Sequence, residues 1–287
     1  MTGSHDGSLQ IWSLRTGKQI TKWNDKKNAV KALALSPDGK KVVFGTWDGA
    51  VRIWNIKTGK VIARWTGHAN GVISVCWNRD ATRVVSGCTS GTARVWNVGS
   101  GKTILEIATG LHDMYAATYS PSSTKIATGG DSENEFIKIW DASTGEPIAN
   151  LRGHTEGVDC LIWAADGSKL ISGSSDHSIR SWNTTTWQQI MVLIGHTGTV
   201  YGIAISPNDR ILASAAFDGT AQLWNLDNGQ PIGSPLQHTD NVNCLSFSTD
   251  GQLLATGCWD NNAYTWDIAA MIKEVGLDEL LVNSIVS

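Results

Sequence analysis

Apolar and polar residues alternate along this chain in short runs, as at 200–206, 211–215 and 221–226, and Gly, Pro, Asn and Asp bound the runs. A period of two over so few residues predicts strands, each turning one face to a core. The runs recur. Residues 195–225 open on Gly195-His196, turn at Ser206-Pro207-Asn208-Asp209 and end on Trp224, six residues after Asp218. Aligning the closing tryptophans gives Trp12, Trp54, Trp96, Trp140, Trp182, Trp224 and Trp266, 42 residues apart except for one gap of 44. Four runs separate one Trp from the next: an inner strand a, then b, the Trp-bearing c, and an outer d such as 188–193. Four antiparallel strands per period make one propeller blade, a block that buries its apolar face only against its neighbours.

Turn chemistry keeps this register. The a-to-b turns read Ser36-Pro37-Asp38-Gly39, Ala165-Asp166-Gly167 and Ser248-Thr249-Asp250-Gly251, where Pro and Gly supply the dihedrals a tight turn needs. The c-to-d turns carry Gly17, Gly59, Gly101, Gly145 and Gly229, a series that Trp187 breaks, which places that ring on the outer rim.

The Gly-His opening (Gly195-His196), the Ser-x-Ser-x-Asp turn (Ser172, Ser174, Asp176) and the closing Trp-Asn or Trp-Asp (Trp182-Asn183, Trp140-Asp141) resemble the WD-repeat, or WD40, family. The match runs over about residues 1–267 in seven in-phase copies. The resemblance implies an all-β WD40 β-propeller of four-stranded antiparallel blades. Residues 1–267 are then the propeller domain and 268–287 a tail.

The chain begins in mid-unit: 1–6 reads as the end of a strand b and 7–14 as a strand c. Strands a fall near 30–36, 72–78, 114–120, 158–164, 200–206 and 242–248, six against seven strands c, so the first repeat lacks its inner strand. Propellers of this family typically close when an N-terminal outer strand completes the last blade. Here 19–23 is available to complete the blade ending at 262–267, which gives six blades and leaves 9–14 surplus. The alternatives are an incomplete seventh blade, or a chain that is part of a longer array. The reading adopted is seven repeats, irregular closure and a fragment-like chain. The unsatisfied sheet edges at its two ends predict an edge-mediated homodimer. After 267 the apolar positions Met271, Ile272, Val275, Leu280 and Leu281 fit one helical face, with Gly276 a break, so a short C-terminal helix is expected against the last blade.

Composition removes several classes. The net charge is −3 and the basic residues are scattered, which gives nucleic acid no electrostatic footprint. No apolar run is long enough to cross a bilayer and the start does not read as a signal peptide, so the expectation is a cytoplasmic or nuclear protein without a membrane partner. Cys76, Cys88, Cys160, Cys244 and Cys258 stand where other copies carry Ser, Ala or Gly and are not spaced as zinc ligands. They read as small core residues in a reducing compartment, and no cofactor is expected. Asn183-Thr184-Thr185 is a glycosylation sequon in an ordinary turn. Gly99-Ser100-Gly101-Lys102-Thr103 ends like a phosphate-binding loop, but Trp96 stands where that motif needs Gly and a strand follows it.

Three copies hold a His, a hydroxyl, an Asp and the Trp together: His154, Ser172, Asp176, Trp182; His196, Ser214, Asp218, Trp224; and His238, Thr256, Asp260, Trp266. The resemblance implies a structural hydrogen-bond network, Asp to His to hydroxyl to indole. Repetition argues the same way, because a nucleophile needs one cleft and one oxyanion hole. Other copies depart from the set. Lys26 stands for His, Phe44 for Ser and Ser90 for Asp; His112 is displaced by two residues and Asn134 replaces Asp. The N-terminal half is therefore expected to be the looser one.

Partners of such propellers commonly dock on the face carrying the d-to-a and b-to-c loops, around the channel mouth. The residues opening strands a, which the resemblance points toward that mouth, are Lys31, Ile73, Tyr115, Asp159, Tyr201 and Asn243. Those preceding the b-to-c Asp are His5, Trp47, Ser175, Phe217 and Trp259, several of them aromatic where a solvated turn is ordinarily polar. The expected function is a non-enzymatic scaffold for protein or peptide partners. The second reading is the sensing or autoinhibitory array of a larger signalling chain, with a nucleotide-hydrolysing domain upstream. The third, an enzyme with a site at the channel mouth, needs an asymmetric cluster of acids or metal ligands, and the opening positions offer one Lys and one Asp.

Overall fold

The computed structural model describes residues 1–4, 6–12, 18–24 and 28–281. It comprises two compact units, Met1–Arg152 and Gly153–Ser287. His5, Gly17 and Lys26 lie outside the described residues, as do the end of the first strand c after Trp12 and the tail from 282.

In the first unit, β1 (Thr2–Gly3), β2 (Ser8–Trp12) and β3 (Gln19–Asn24) form a three-stranded sheet. Three four-stranded sheets follow. The first is β4 (Val30–Leu35), β5 (Lys41–Thr46), β6 (Val51–Asn55) and β7 (Lys60–Trp65). The second is β8 (Val72–Trp77), β9 (Arg83–Cys88), β10 (Thr92–Asn97) and β11 (Thr103–Ala108). The third is β12 (Asp113–Tyr119), β13 (Lys125–Asp131), β14 (Ile137–Asp141) and β15 (Pro147–Leu151).

The second unit has two more sheets of this kind. One is β16 (Val158–Trp163), β17 (Lys169–Ser174), β18 (Ser178–Asn183) and β19 (Gln189–Ile194). The other is β20 (Val200–Ile205), β21 (Ile211–Ala216), β22 (Thr220–Asn225) and β23 (Pro231–Gln237). A three-stranded sheet of β24 (Val242–Phe247), β25 (Leu253–Cys258) and β26 (Ala263–Asp267) comes last, then helix α1 (Ile268–Glu274) and a 3₁₀ turn at Asp278–Leu281.

These are the seven blades of an all-β propeller, each strand antiparallel to its sequence neighbour. The six-blade alternative fails because Gln19–Asn24 pairs with β2, Leu9 opposite Trp23 and Gln10 opposite Lys22. That hairpin also gives 9–12 a place in the first sheet. The first sheet has no inner strand and the last no outer one among the described residues.

The period-two pattern fills the space between neighbouring sheets. Trp54, Trp96, Trp182 and Trp224 are among the largest fully or almost fully buried side chains. Trp96 shares a cluster with Val43, Ile53, Val72 and Val84, and Trp224 one with Ile171, Ile179, Val200 and Leu212. Trp12, in the incomplete first sheet, is 37% exposed. Trp187 has φ +59, the left-handed conformation that Gly59 (φ +65) and Gly101 (φ +69) adopt in their turns. Edge-to-face contact with Trp163, ring centroids 6.3 Å apart, holds it there.

Asp267 caps α1, its carboxylate accepting from the Ala270 N–H at 2.8 Å. Ile268 and Ile272 are buried against Ile232 and Leu236 of β23 and Leu254 of β25, and Gly276 (φ +72) ends the helix. Leu280 is buried in the same cluster, and Asn208 donates to its carbonyl at 2.8 Å. One position departs from the expected face: Val275, at the C-cap, is 43% exposed, and Ile268 does the burying instead.

Candidate functional site

In the sheet β16–β19 the polar set closes. His154 Nδ1 lies 2.7 Å from Asp176 Oδ2, its Nε2 lies 2.8 Å from Ser172 Oγ, and the Trp182 indole donates to that oxygen at 2.9 Å. The sheet β20–β23 repeats it: His196 to Asp218 2.9 Å, His196 to Ser214 2.7 Å, Trp224 to Ser214 2.8 Å. Each carboxylate also accepts from a backbone N–H (Thr155, Thr197) and a hydroxyl (Ser178, Thr220). Burial pushes the Asp176 and Asp218 carboxyls up, but the bonds from the imidazole and the hydroxyl outweigh it and hold both far below the usual carboxylate range. Burial pushes His154 down, against the pull of Asp176. The pair is thus a neutral imidazole donating from Nδ1 to an ionised carboxylate, with Nε2 free to accept from serine.

This is the order of groups in a hydrolytic triad, yet it cannot act as one. Ser172 and Ser214 are fully buried and each hydroxyl oxygen already accepts from an indole, so no carbonyl carbon can approach it.

The third set is only partly assembled. His238 Nε2 meets Thr256 Oγ1 at 2.8 Å and Trp266 donates to the same oxygen at 3.0 Å, but His238 Nδ1 faces the Leu236 carbonyl at 3.0 Å. Asp260 does not orient His238, contrary to the sequence expectation. Its carboxylate takes the Thr239 hydroxyl at 2.6 Å and the Tyr264 phenol.

The first unit carries the set in pieces. In β8–β11, His68 meets Ser86 at 2.7 Å and Trp96 donates to Ser86 at 2.7 Å, but Ser90 turns to Cys88 Sγ. His68 Nδ1 is buried with no partner among the described residues, and burial, aided by the Arg94 charge, pushes its pKa down to about 4. In β12–β15 the bond from Trp140 to Thr128 remains, at 2.9 Å. In β4–β7, where Phe44 replaces the hydroxyl, the Trp54 indole N–H is buried without a partner among the described residues. The same sheet carries an ionic cluster, Asp48 bound to Arg52 at 2.8 Å and Arg64 at 3.2 Å.

The loop residues are positioned by two repeated backbone devices. Lys31, Ile73, Tyr115, Asp159, Tyr201 and Asn243 each sit where the a–b register skips a residue, a β-bulge that re-aims the side chain. The b-to-c turn is then tied to the start of strand a: the N–H groups of Trp47, Ser175, Phe217 and Trp259 donate to the carbonyls of Ala29, Gly157, Thr199 and Asn241 at 2.9–3.2 Å. The sequence reading missed the bulges, although a signal was present. The residue after each bulge is small: Ala32, Ser74, Ala116, Cys160, Gly202, Cys244.

In the first unit, Trp47 is 57% exposed, lies against Gly71 and carries the Lys31 ammonium 5.0 Å from its ring centroid. In the second unit, Tyr201, Phe217 and Trp259 form a strip. Tyr201 and Phe217 have centroids 6.1 Å apart at 77°, Phe217 and Trp259 6.2 Å apart at 89°. Phe217 is 49% and Trp259 52% exposed. Ser175 Oγ donates to Asp159 at 2.9 Å. Burial and the nearby Asp159 charge raise the Tyr201 pKa. Among the described residues no group of three or more His, Cys, Asp or Glu is placed to hold a metal ion, and no helix is long and apolar enough to cross a membrane.

Repeated four-stranded sheets, a closing Trp and a buried His-hydroxyl-indole chain define a class that comparison with known sequences identifies. The WD domain, G-beta repeat profile matches residues 59–97, 107–141, 145–183, 187–225 and 229–267, and the chain belongs to that WD40 family. A profile of the anaphase-promoting complex subunit 4 WD40 domain matches residues 3–74. Over 59 residues the chain is 37% identical to periodic tryptophan protein 2 of Arabidopsis thaliana, covering 21% of this chain and 6% of that protein. It is 45% identical over 53 residues to an uncharacterized WD repeat-containing protein of Schizosaccharomyces pombe, 18% of this chain and 14% of that one. With WD repeat-containing protein 1 of Xenopus tropicalis it shares 34% over 61 residues, 20% and 10% of the two chains. The matched segments thus span a small part of each relative's length. WD40 propellers are generally non-enzymatic scaffolds for protein interaction.

Proposed function

We propose that this chain is a non-catalytic platform for protein or peptide partners. The residues at its bulges and b-to-c turns make the contacts, and the buried polar sets hold the sheets that carry them. The observation behind this reading is the strip of Tyr201, Phe217 and Trp259, in which Phe217 touches the other two rings and Phe217 and Trp259 are half exposed, where a turn is ordinarily polar. Aromatic side chains concentrate binding energy because they bury much area for little lost entropy. Lys31, Trp47, Ile73 and Tyr115 of the first unit and Asp159 and Asn243 of the second complete the proposed contact set.

Affinity capture with the tagged chain, followed by mass spectrometry, tests it. Trp47→Ala and Trp259→Ala are expected to lose partners that the wild type retains while near-UV circular dichroism stays unchanged. Identical capture by folded variants removes these residues from the contact surface.

A further inference from the structure

The first unit holds a template for what its rim aromatics bind: the Lys31 ammonium lies over the Trp47 ring, 5.0 Å from the centroid. A cation is drawn to a ring face by the π quadrupole. At the corresponding bulges the second unit carries Asp159, Tyr201 and Asn243, so its aromatic strip has no lysine at that position. Nor do its loops supply one. Segments 153–157, 195–199, 238–241, 174–177, 216–219 and 258–262 contain no Lys or Arg. The preceding cation, Arg152, belongs to the first unit and pairs with Glu135 at 3.1 Å. The same segments carry Glu156 and Asp240, both exposed, and Asp159 stands at the bulge beside Tyr201.

We propose that the Tyr201, Phe217 and Trp259 strip receives a basic segment of a protein partner, a Lys or Arg side chain lying on the ring faces within the field of Asp159, Glu156 and Asp240. This rests on the reading of the rim as a contact surface and names the chemistry that surface selects. Charge complementarity decides among occupants. An acidic segment is repelled by the carboxylates. A purely apolar one covers the rings but strips water from the carboxylates and returns no hydrogen bond. A basic segment satisfies both features, and its alkyl stem packs on the rings as its charge meets the carboxylates.

Two labelled peptides test this on the full chain by fluorescence anisotropy, one of alternating Arg, Lys and Gly and one with Gln at each basic position. The basic peptide is expected to bind and to weaken as salt rises, and the Gln peptide to bind about tenfold more weakly. Phe217→Ala and Trp259→Ala are expected to weaken the basic peptide about tenfold, and Trp259→Phe far less. Asp159→Asn, which leaves the rings in place, is expected to weaken it about threefold. Ile190→Ala, at an exposed position of the outer strand β19 outside the contact set, is expected to leave it unchanged. Failure of the wild type to bind the basic peptide, equal affinity for the two peptides, or binding unmoved in folded Phe217→Ala and Asp159→Asn proteins overturns the assignment. If strip variants lose cellular partners while the wild type does not prefer the basic peptide, the platform reading stands and the cation preference falls.

Discussion

In the sheet β16–β19 a carboxylate, an imidazole, a serine hydroxyl and an indole form one unbroken chain of hydrogen bonds, whereas in β8–β11 the chain stops at the imidazole. The two sheets share strand order, register and the serine-to-tryptophan bond, and they differ where Asp176 is replaced by Ser90. A carboxylate reaches the imidazole and ionises there, but the Ser90 hydroxyl turns to Cys88 and leaves Nδ1 buried and unmatched among the described residues. A buried polar atom without a partner costs more than the bond it would have made contributes. The blade fold therefore survives loss of the acid, and stability is what varies from copy to copy.

Phe44→Ser is the strongest way to break this comparison, because it restores the missing hydroxyl to β4–β7. Phe44 is fully buried, so the cavity, at about 4 kcal/mol, outweighs one regained bond of about 1 kcal/mol. A clear net loss in chemical denaturation is expected, and a gain would show that the hydroxyl matters more than packing. Asp218→Ala converts a complete set into one like that of His68, leaves the His196 Nδ1–H and the Thr197 N–H without their acceptor, and is expected to cost about 3 kcal/mol, measured the same way.

Acid separates the two kinds of sheet. The His68 pKa is about 4 in the fold against 6.5 unfolded, so the unfolded chain takes up the proton first. This group's contribution, about 3 kcal/mol, is complete above pH 6.5 and is lost as pH falls toward 4. Asp176 and Asp218 have depressed pKa values, so their contribution persists through that window and declines only below the unfolded carboxyl value. Burial pushes His154 and His238 down as well, so their sheets also lose stability in this window, and denaturation midpoints are expected to fall most for the first unit, where His68 is pushed furthest. Ser90→Asp sharpens the contrast. By giving His68 Nδ1 an acceptor it is expected to stabilise by about 1 kcal/mol and to flatten the loss between pH 6.5 and 4. The smallest expected effect is that of Lys31→Gln, about 0.5 kcal/mol, since Trp47 is exposed and the cation–π contact is solvated.

Much of this was legible in the chain. The tryptophan period and the alternation placed each strand, and the loss of period after 267 placed the helix. What stayed hidden depends on competition between partners that spacing does not reveal. Asp260 has the right spacing from His238, but Tyr264 stands where Arg180 and Gln222 stand in the complete copies, and its phenol takes the carboxylate. Blade number hung on whether 19–23 pairs locally or remotely, and the short hairpin to β2 decides it. The bulges that aim Lys31 and Tyr201 show in sequence only as a small residue at the next position.

Native-state hydrogen exchange on the full chain tests the central claim most directly, that a complete polar set makes its sheet harder to open. Amides of β17, β18, β21 and β22, together with the Trp182 and Trp224 indole N–H groups, are expected to exchange more slowly than their counterparts in β5, β6, β9 and β10. Equal protection in the two groups, or slower exchange in the sheets of Phe44 and His68, would contradict it.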